Sequence, residues 1–291
     1  MPRFGLSGSD RSAPLPEAGA APDVPASLPR TRGAAAARAI RRDGSSRLAR
    51  FRQEGSLKLL WPHGDGEDPL EAVLLNTAGG LTGGDRLDLH LSAGAGSWLR
   101  VSTQAAERIY RTVSGPAEMT VDLQVESGGR LDWLPQETIL YDGGAIHRRL
   151  RLDLGSGARA LLAEPVILGR RAMGERVRRA WFRDRWEVIR EGHLVFADRL
   201  RIGEEDWPAA GAAAMLGDAG AWASLLLVAP EAEARLDPLR RLLPGRAGAS
   251  LLREGLLFAR LLAEDGFALR RSLIPALELL GNRALPKVWR L

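Results

Sequence analysis

Residues 86–91 read Arg86-Leu87-Asp88-Leu89-His90-Leu91, a strict alternation of polar and apolar side chains. Residues 120–125 and 150–154 alternate in the same way, and glycine-rich turns separate these runs from further short apolar ones. Side chains of a β-strand point alternately to its two faces, so this period of two predicts strands with one buried face. Many short strands of this kind indicate a mainly β fold, either a sandwich, a barrel or a solenoid.

The two ends of the chain differ from this β region. Residues 1–35 are rich in proline, glycine and alanine without an apolar period, which predicts a disordered tail. Residues 36–291 are predicted to form one domain, with helical elements near 231–243 and 266–280. Pro275 is expected to kink or break the second helix, because proline removes a main-chain donor.

The composition excludes several classes of protein. The 291 residues include no cysteine, so thiolate metal sites, iron–sulfur clusters and cysteine nucleophiles are excluded. The formal net charge is +5, and all but two of the basic residues (Lys58 and Lys287) are arginines, a compositional bias and not a nucleic-acid signature. Residues 209–229 are nearly uncharged, but Asp218 lies near their centre, which favours a loop and a buried strand over a membrane span. No secretory signal is evident, so we expect a cytoplasmic protein.

The segment Asn76-Thr77-Ala78-Gly79-Gly80-Leu81-Thr82-Gly83-Gly84-Asp85 carries four glycines in six positions. Such a loop could cradle a phosphate with its main-chain N–H groups. However, no Gly-Lys-Ser/Thr sequence follows it, and the next element is a predicted strand instead of a helix. We therefore favour a pair of tight turns in which Asn76 and Asp85 bond to their own turn.

Three carboxylates stand in unusual surroundings. Glu137 and Asp142 bracket an apolar triplet, and Glu164 is the single charged residue of an apolar run. Glu164 therefore either lines a polar cavity or forms a buried ion pair, with Arg170 and Arg171 close in sequence. Two facing carboxylates could also catalyse glycoside hydrolysis, so a carbohydrate-active enzyme is the alternative function.

Histidines and arginines give weaker signals. No two of the four histidines have the spacing of metal ligands, so we expect no tight metal site. His90 and His147 fall on the polar phase of their strands, which predicts side chains that face solvent. The arginine-rich run from Arg170 to Trp181 could bind nucleic acid, but its charges do not keep to one face of a strand. A solvated face or a protein interface is the better interpretation.

Several blocks together resemble the urease accessory protein UreD family, called UreH in some organisms. The Asn76–Asp85 segment resembles the family's glycine-rich signature, and the segments 103–111 and 131–142 are similar to the two blocks that follow it. Gly169–Glu175 and Pro286–Trp289 complete a resemblance over residues 45–291. Tyr141 and Lys287 stand where the family more often has phenylalanine and arginine. The signature positions that carry the resemblance are Asn76, Gly79, Gly80, Gly83, Gly84, Asp85, Tyr110, Trp133 and Gln136.

The resemblance implies a β-helix-like fold with a small C-terminal helical part, and no catalysis by the chain itself. It also implies a maturation scaffold that binds UreF, reaches the GTPase UreG through UreF, and docks on the urease apoprotein. This assembly inserts nickel into the dinuclear centre of urease, with UreE as the nickel donor. Neither nucleic acid nor a membrane is expected as a partner.

We expect nickel to pass through the protein without being held by it. Stable nickel sites favour imidazole and thiolate, whereas carboxylate, hydroxyl and amide oxygens bind the ion more weakly. The resemblance implies an internal water-filled passage, and it supports a set of oxygen-bearing residues along it. These candidates are Glu164, Asp142, Glu137, Thr103 and Gln104.

Overall fold

The computed structural model describes residues 29–62, 69–170, 173–207 and 215–290, which form a mainly β protein with two C-terminal helices. The strands are β1 (Arg32–Arg42), β2 (Ser45–Gly55), β3 (Leu57–Leu60), β4 (Leu70–Asn76), β5 (Arg86–Ala93), β6 (Trp98–Thr103), β7 (Glu107–Ile109), β8 (Ala117–Val125), β9 (Arg130–Leu134), β10 (Thr138–Leu140), β11 (Ala145–Leu154), β12 (Arg159–Leu168), β13 (Trp181–Arg190), β14 (His193–Ile202), β15 (Ala221–Val228), β16 (Ala247–Arg253) and β17 (Leu256–Ala263). The helices are α1 (Ala232–Leu242) and α2 (Gly266–Gly281).

Two sheets stack face to face and the chain winds between them. Sheet A has the strand order β14-β13-β11-β8-β5-β1-β2, and sheet B runs β16-β17-β15-β12-β9-β6-β4-β3. The pairs β5–β8, β8–β11 and β11–β13 in sheet A, and β4–β6, β6–β9 and β9–β12 in sheet B, are parallel. Because successive strands alternate between the sheets, the chain forms a β-solenoid of about four turns. The β-helix-like fold that the family resemblance implies is confirmed.

The alternation in the sequence corresponds to the two faces of sheet A. In β5 the leucines 87, 89 and 91 are buried, whereas Asp88 and His90 face outward. The inward side chains of both sheets form one hydrophobic core between them. The outward face of sheet A carries no further layer among the described residues, so it remains a broad polar surface.

The opposite face of sheet B is covered by the helices, which makes a second hydrophobic core. Strand β15 is buried along its whole length, which confirms the buried strand that the sequence predicts within residues 209–229. Helix α2 begins after Asp265, whose side chain accepts a hydrogen bond from the Ala268 N–H at 2.8 Å. No helix within the described ranges is both long and apolar enough to cross a bilayer.

One sequence-based boundary and the break expected at Pro275 need correction. Strand β1 begins at Arg32, so residues 32–35 belong to sheet A and not to the predicted tail, because alternate alanines of β1 pack inward. Residues 1–28 lie outside the described ranges. Helix α2 also continues through Pro275 to Gly281, since the flanking Leu273 and Leu277 are buried and hold the helix on sheet B.

A buried ion cluster joins sheet B to the end of helix α2. Arg100 and Arg130 both donate to the fully buried Asp132, at 3.1 and 2.9 Å. Their remaining N–H groups donate to main-chain carbonyls, Arg100 to Ala284 at 3.1 Å and Arg130 to Gly281 at 3.0 Å. We call Arg100, Arg130 and Asp132 the helix-side cluster. The half-buried Glu71 approaches Arg100 at 3.7 Å.

Candidate functional site

A cavity of about 240 Å³ lies between the two sheets. Leu87, Met119 and Arg148 line it from sheet A, and Leu74, Trp133 and Glu164 line it from sheet B. The end of β6, the turn after it and the start of β7 add a more exposed part of the lining, formed by residues 103–108. The solenoid thus encloses polar side chains inside an apolar core.

One arginine and two carboxylates form a cluster at this cavity. Arg148 and Asp184 occupy directly paired positions on the parallel strands β11 and β13, and Arg148 donates to both Asp184 oxygens at 3.0 and 2.7 Å. The same guanidinium donates to Glu164 across the inter-sheet space, and the Trp133 indole donates to the other Glu164 oxygen at 2.8 Å. We call Arg148, Glu164 and Asp184 the cavity-side cluster.

The cavity-side cluster has more negative than positive groups, and this affects its titration. Burial raises the pKa of Glu164 to about 7, although Arg148 favours the charged form; Asp184 adds to the increase. For Arg148, burial favours loss of the proton, but the two carboxylates outweigh it and raise its pKa above the ordinary value. Arg148 therefore stays charged, whereas burial makes Glu164 easier to protonate than an exposed glutamate.

A second carboxylate lines the same cavity without a cation. Glu107 accepts hydrogen bonds from the Asn76 amide at 3.1 Å to each of its oxygens, and no ion pair joins it to a described residue. Burial raises its pKa to about 7, while the bond from Asn76 partly offsets the increase. Glu107 and Glu164 are thus two cavity carboxylates whose pKa values are both raised by burial.

The structure brings three of the five predicted passage residues to this cavity. Glu164 lies inside it, and Thr103 and Gln104 belong to its more exposed part. The Thr103 hydroxyl accepts from the Gln136 N–H at 2.8 Å and donates to the Ala105 carbonyl at 3.1 Å. Glu164 pairs with Arg148; of the two arginines close to it in sequence, Arg170 pairs with Glu175, and Arg171 lies outside the described ranges.

The other two predicted residues lie elsewhere. Glu137 is buried against Arg270 of helix α2, with N···O distances of 2.6 and 3.0 Å. Asp142 accepts from the N–H groups of Arg178 and Arg179 at 2.8 and 3.2 Å and pairs with Arg111 at 3.1 Å. Burial works to raise the pKa of Asp142, but these donors outweigh it and hold the pKa below its ordinary range. Neither carboxylate lines the cavity.

These separate ion pairs also bear on the alternative of a carbohydrate-active enzyme. Glu137, Asp142 and Glu164 each contact a different arginine. No two of them line the cavity together, so the pairing of carboxylates that the alternative requires is not formed by these residues. Among the described residues, no group of three or more histidine, aspartate or glutamate side chains is arranged to hold a metal ion.

The glycine-rich segment forms part of the cavity wall, because Asn76 and Gly79 line the cavity. The Asn76 side chain accepts from the Ala78 N–H at 3.1 Å, and Asp85 accepts from Thr82 at 2.8 Å, which confirms the predicted turns. A side chain at Gly80 would meet the Tyr110 ring at 2.4 Å, and one at Gly83 would meet the hydroxyl of Thr112 at 1.9 Å.

Two further signature residues, Tyr110 and Gln136, link the glycine-rich segment and the cavity to other parts of the chain. The Tyr110 ring makes an edge contact with Tyr141, and its hydroxyl donates to the Gly79 carbonyl at 3.4 Å. Gln136 contacts the C-terminal region, because its amide donates to the Val288 carbonyl at 3.0 Å. The signature residues therefore hold together the glycine-rich turns, the cavity and the C-terminus.

Sequence reasoning missed Arg148, Asp184 and Glu107. The signal for the first two was present, since each is a charged residue on the apolar phase of its strand. Arg148 shares its phase with Ile146 and Leu150, and Asp184 shares its phase with Phe182 and Trp186. Glu107 gave no such signal, because β7 is only three residues long and too short to show a period.

Fold and site together define a class of protein: a two-sheet β-solenoid that encloses a charge-rich cavity and carries a helical layer on one side. The family model described as "UreD urease accessory protein" matches residues 31–290. The chain belongs to this family.

Three relatives named "Urease accessory protein UreD" illustrate the similarity. The protein of Roseobacter denitrificans is 47% identical over 92% of this chain and 98% of its own length. The protein of Mesorhizobium japonicum is 47% identical over 86% of this chain and 90% of its own. That of a Chelativorans species is 46% identical over 91% and 96% of the two chains.

Proposed function

We propose that this protein acts in urease maturation as a scaffold, and that nickel passes through its inter-sheet cavity on the way to urease. Membership of the family supports the role in maturation. In this proposal the protein binds UreF, reaches the GTPase UreG through UreF, and docks in the cytoplasm on the urease apoprotein, with UreE as nickel donor. The protein itself performs no catalysis.

The observation that carries the nickel proposal is the pair of cavity carboxylates. Glu107 and Glu164 both line the cavity, and both have a pKa raised to about 7. A divalent cation that enters competes with a proton at each carboxylate, so binding is weaker than at permanently charged ligands. Ready capture and ready release are what transit requires. The proposed passage therefore includes Glu107, Glu164, Thr103 and Gln104, and leaves out Glu137 and Asp142.

The test is co-expression of the chain with a urease operon that lacks its own copy of this component. Glu107→Gln and Glu164→Gln keep the shape of each side chain and remove its charge. We expect a several-fold loss of nickel per urease while the complex with UreF and urease still assembles. Glu118→Gln, an exposed carboxylate on the outer face of sheet A, is the matched control and should leave the nickel content unchanged.

Two further variants test the choice of residues. Glu137→Gln and Asp142→Asn remove carboxylates outside the cavity, so assembled complexes with these variants should contain normal nickel. Less nickel per urease with Glu137→Gln and Asp142→Asn, together with normal nickel for Glu107→Gln and Glu164→Gln, would show that the nickel passage does not run through this cavity. If all four assembled complexes delivered normal nickel, we would abandon the passage.

A further inference from the structure

The outer face of sheet A carries a concentration of arginine where β11, β13 and β14 lie side by side. Strands β13 and β14 pair so that Arg183 lies opposite Arg201 and Arg185 lies opposite Arg199. Arg149 of β11 is the partner of Arg185 on the other side. We call these five arginines the basic corner. Four of them are exposed, and Arg149 is half-buried.

The repulsion between these arginines lowers the stability of sheet A. Like charges directly opposite each other on paired strands repel, and the β13–β14 pair has two such positions in succession. Three of the arginines are partly neutralised, by Asp122, Glu187 and Glu205 respectively. No ion pair joins Arg183 or Arg199 to a residue in the described ranges.

Protection of an edge strand does not account for the basic corner. Charged residues on the last strand of a sheet prevent edge-to-edge association, and β14 is such a strand. However, Arg149, Arg183 and Arg185 lie on strands with neighbours on both sides. On the opposite edge of the same sheet, Arg47 and Arg52 of β2 lie opposite uncharged residues of β1. The one like-charged pair in that register joins Arg50 to Arg38, and Arg38 is itself neutralised by Glu126 at 2.7 Å.

We propose that the basic corner is a docking site for an acidic surface on a protein partner. Arginine presents a planar fork of donors that binds carboxylates in a bidentate manner. The indole of Trp181 adds an aromatic surface at the same end of β13, where the Arg201 guanidinium lies 5.4 Å from the ring centroid. Arginine and tryptophan are the residues that most often dominate the affinity of protein interfaces.

The surroundings of the basic corner favour a compact acidic surface over a nucleic acid. Glu187 bounds the corner along β13, and Glu118 and Asp122 bound it on β8. A phosphate backbone that extended beyond the corner would therefore meet carboxylates on two sides. A nucleic acid needs a continuous basic track for several phosphates, whereas an acidic protein surface can match a patch of this size.

This proposal goes beyond the role in maturation and does not depend on the nickel passage, because the basic corner faces solvent and the cavity lies between the sheets. Its test is the binding of fluorescein-labelled decaglutamate to the full-length chain, measured by fluorescence anisotropy at low salt. The variant is Arg183→Glu/Arg199→Glu, and the control Arg47→Glu/Arg50→Glu changes the net charge equally on the exposed strand β2. We expect the first variant to lose about tenfold in affinity and the control to lose much less.

A stability measurement separates recognition from a structural role. The Arg183→Glu/Arg199→Glu variant places a carboxylate opposite Arg201 and another opposite Arg185, so its urea midpoint should be equal to or higher than that of the wild type. A lower midpoint together with weaker binding would assign the arginines to folding and overturn the proposal. No binding of decaglutamate, equal losses in both variants, or tighter binding of duplex DNA at the same arginines would overturn it as well.

Discussion

The protein buries two ion clusters on opposite faces of sheet B, and they have opposite proportions of charge. On the helix side, the two guanidinium groups of Arg100 and Arg130 share Asp132, and their other donors bond to main-chain carbonyls. On the cavity side, the single guanidinium of Arg148 is shared by Glu164 and Asp184. The first cluster is closed by the chain, whereas the second borders a cavity.

This difference separates a structural role from a functional one. The helix-side cluster is compensated by Asp132 and by main-chain carbonyls, and none of its three side chains lines the cavity. A carboxylate can take up a proton or a cation, so the cavity-side cluster can change its charge without unfolding. Ion pairs alone therefore do not identify a functional site. We propose that the excess of negative groups and their access to a cavity mark the functional one.

The largest effect is expected from Asp132→Asn. The substitution leaves two buried arginines without a carboxylate between them, and we expect a loss of about 4 kcal/mol in the free energy of unfolding. Urea unfolding measures this loss. Asp88→Asn on the outer face of sheet A is the control and should leave the midpoint unchanged. A change below about 1 kcal/mol for Asp132→Asn would contradict the structural role of the helix-side cluster.

Arg148→Met should destabilise the protein less, and its effect should depend on pH. Without Arg148 the carboxylates of Glu164 and Asp184 remain buried without their cation, but protonation of Glu164, whose pKa burial already raises, can remove part of the charge. We expect a loss of about 3 kcal/mol at pH 8 and a smaller loss at pH 5, measured by urea unfolding. Arg149→Met, the next residue on the outer face, should show no such dependence. An equal loss of stability at pH 5 and pH 8 would show that protonation of the buried carboxylates does not compensate for the missing guanidinium.

Glu164→Gln is expected to have the smallest effect, mainly on the pH dependence of stability. The pKa of Glu164 rises from an ordinary value near 4.5 to about 7 on folding, so the folded state holds a proton that the unfolded state loses. The stability from this group is complete below pH 4.5 and is lost as the pH rises through 7.

The Glu164→Gln variant has no titrating carboxyl group at this position, so it does not lose this stability as the pH rises. From pH 5 to pH 8 its free energy of unfolding should therefore rise relative to wild type, by an amount on the order of 1–3 kcal/mol. Urea unfolding over this range measures the difference, with Glu254→Gln in the exposed turn between β16 and β17 as the control that should follow the wild type. Parallel curves for Glu164→Gln and wild type would show that Glu164 does not titrate in this range.

The sequence predicted the strands better than it predicted their arrangement. The alternation at residues 86–91 is a local property, and the structure confirms it as β5. The parallel pairing of strands far apart in sequence leaves no local pattern, so the solenoid came only from the family resemblance. The same limit applies to the site. Glu164 was found because it interrupts an apolar run, but its partner Arg148 comes from the other sheet.

The errors at the site have a related cause. Glu137 follows the end of β9, where the regular alternation of faces stops, so its position could not be assigned to the cavity or to the helices. Its pairing with Arg270 depends on how helix α2 packs, which no spacing within residues 131–142 encodes. Arg148 and Asp184 were predictable as buried charges from the phase of their strands. Their mutual contact required the register of β11 and β13.

The most direct test of the central claim compares one residue from each cluster in the maturation of urease. Nickel per urease is measured together with the amount of the protein bound in the urease complex, for Glu164→Gln and for Asp132→Asn. We predict that Glu164→Gln assembles a normal amount of complex with several-fold less nickel, because only its charge in the cavity is lost. Asp132→Asn should assemble less complex, with normal nickel in each complex that forms. Normal nickel delivery by Glu164→Gln, or deficient delivery by assembled Asp132→Asn complexes, would contradict the division between a cluster that carries nickel and one that holds the fold.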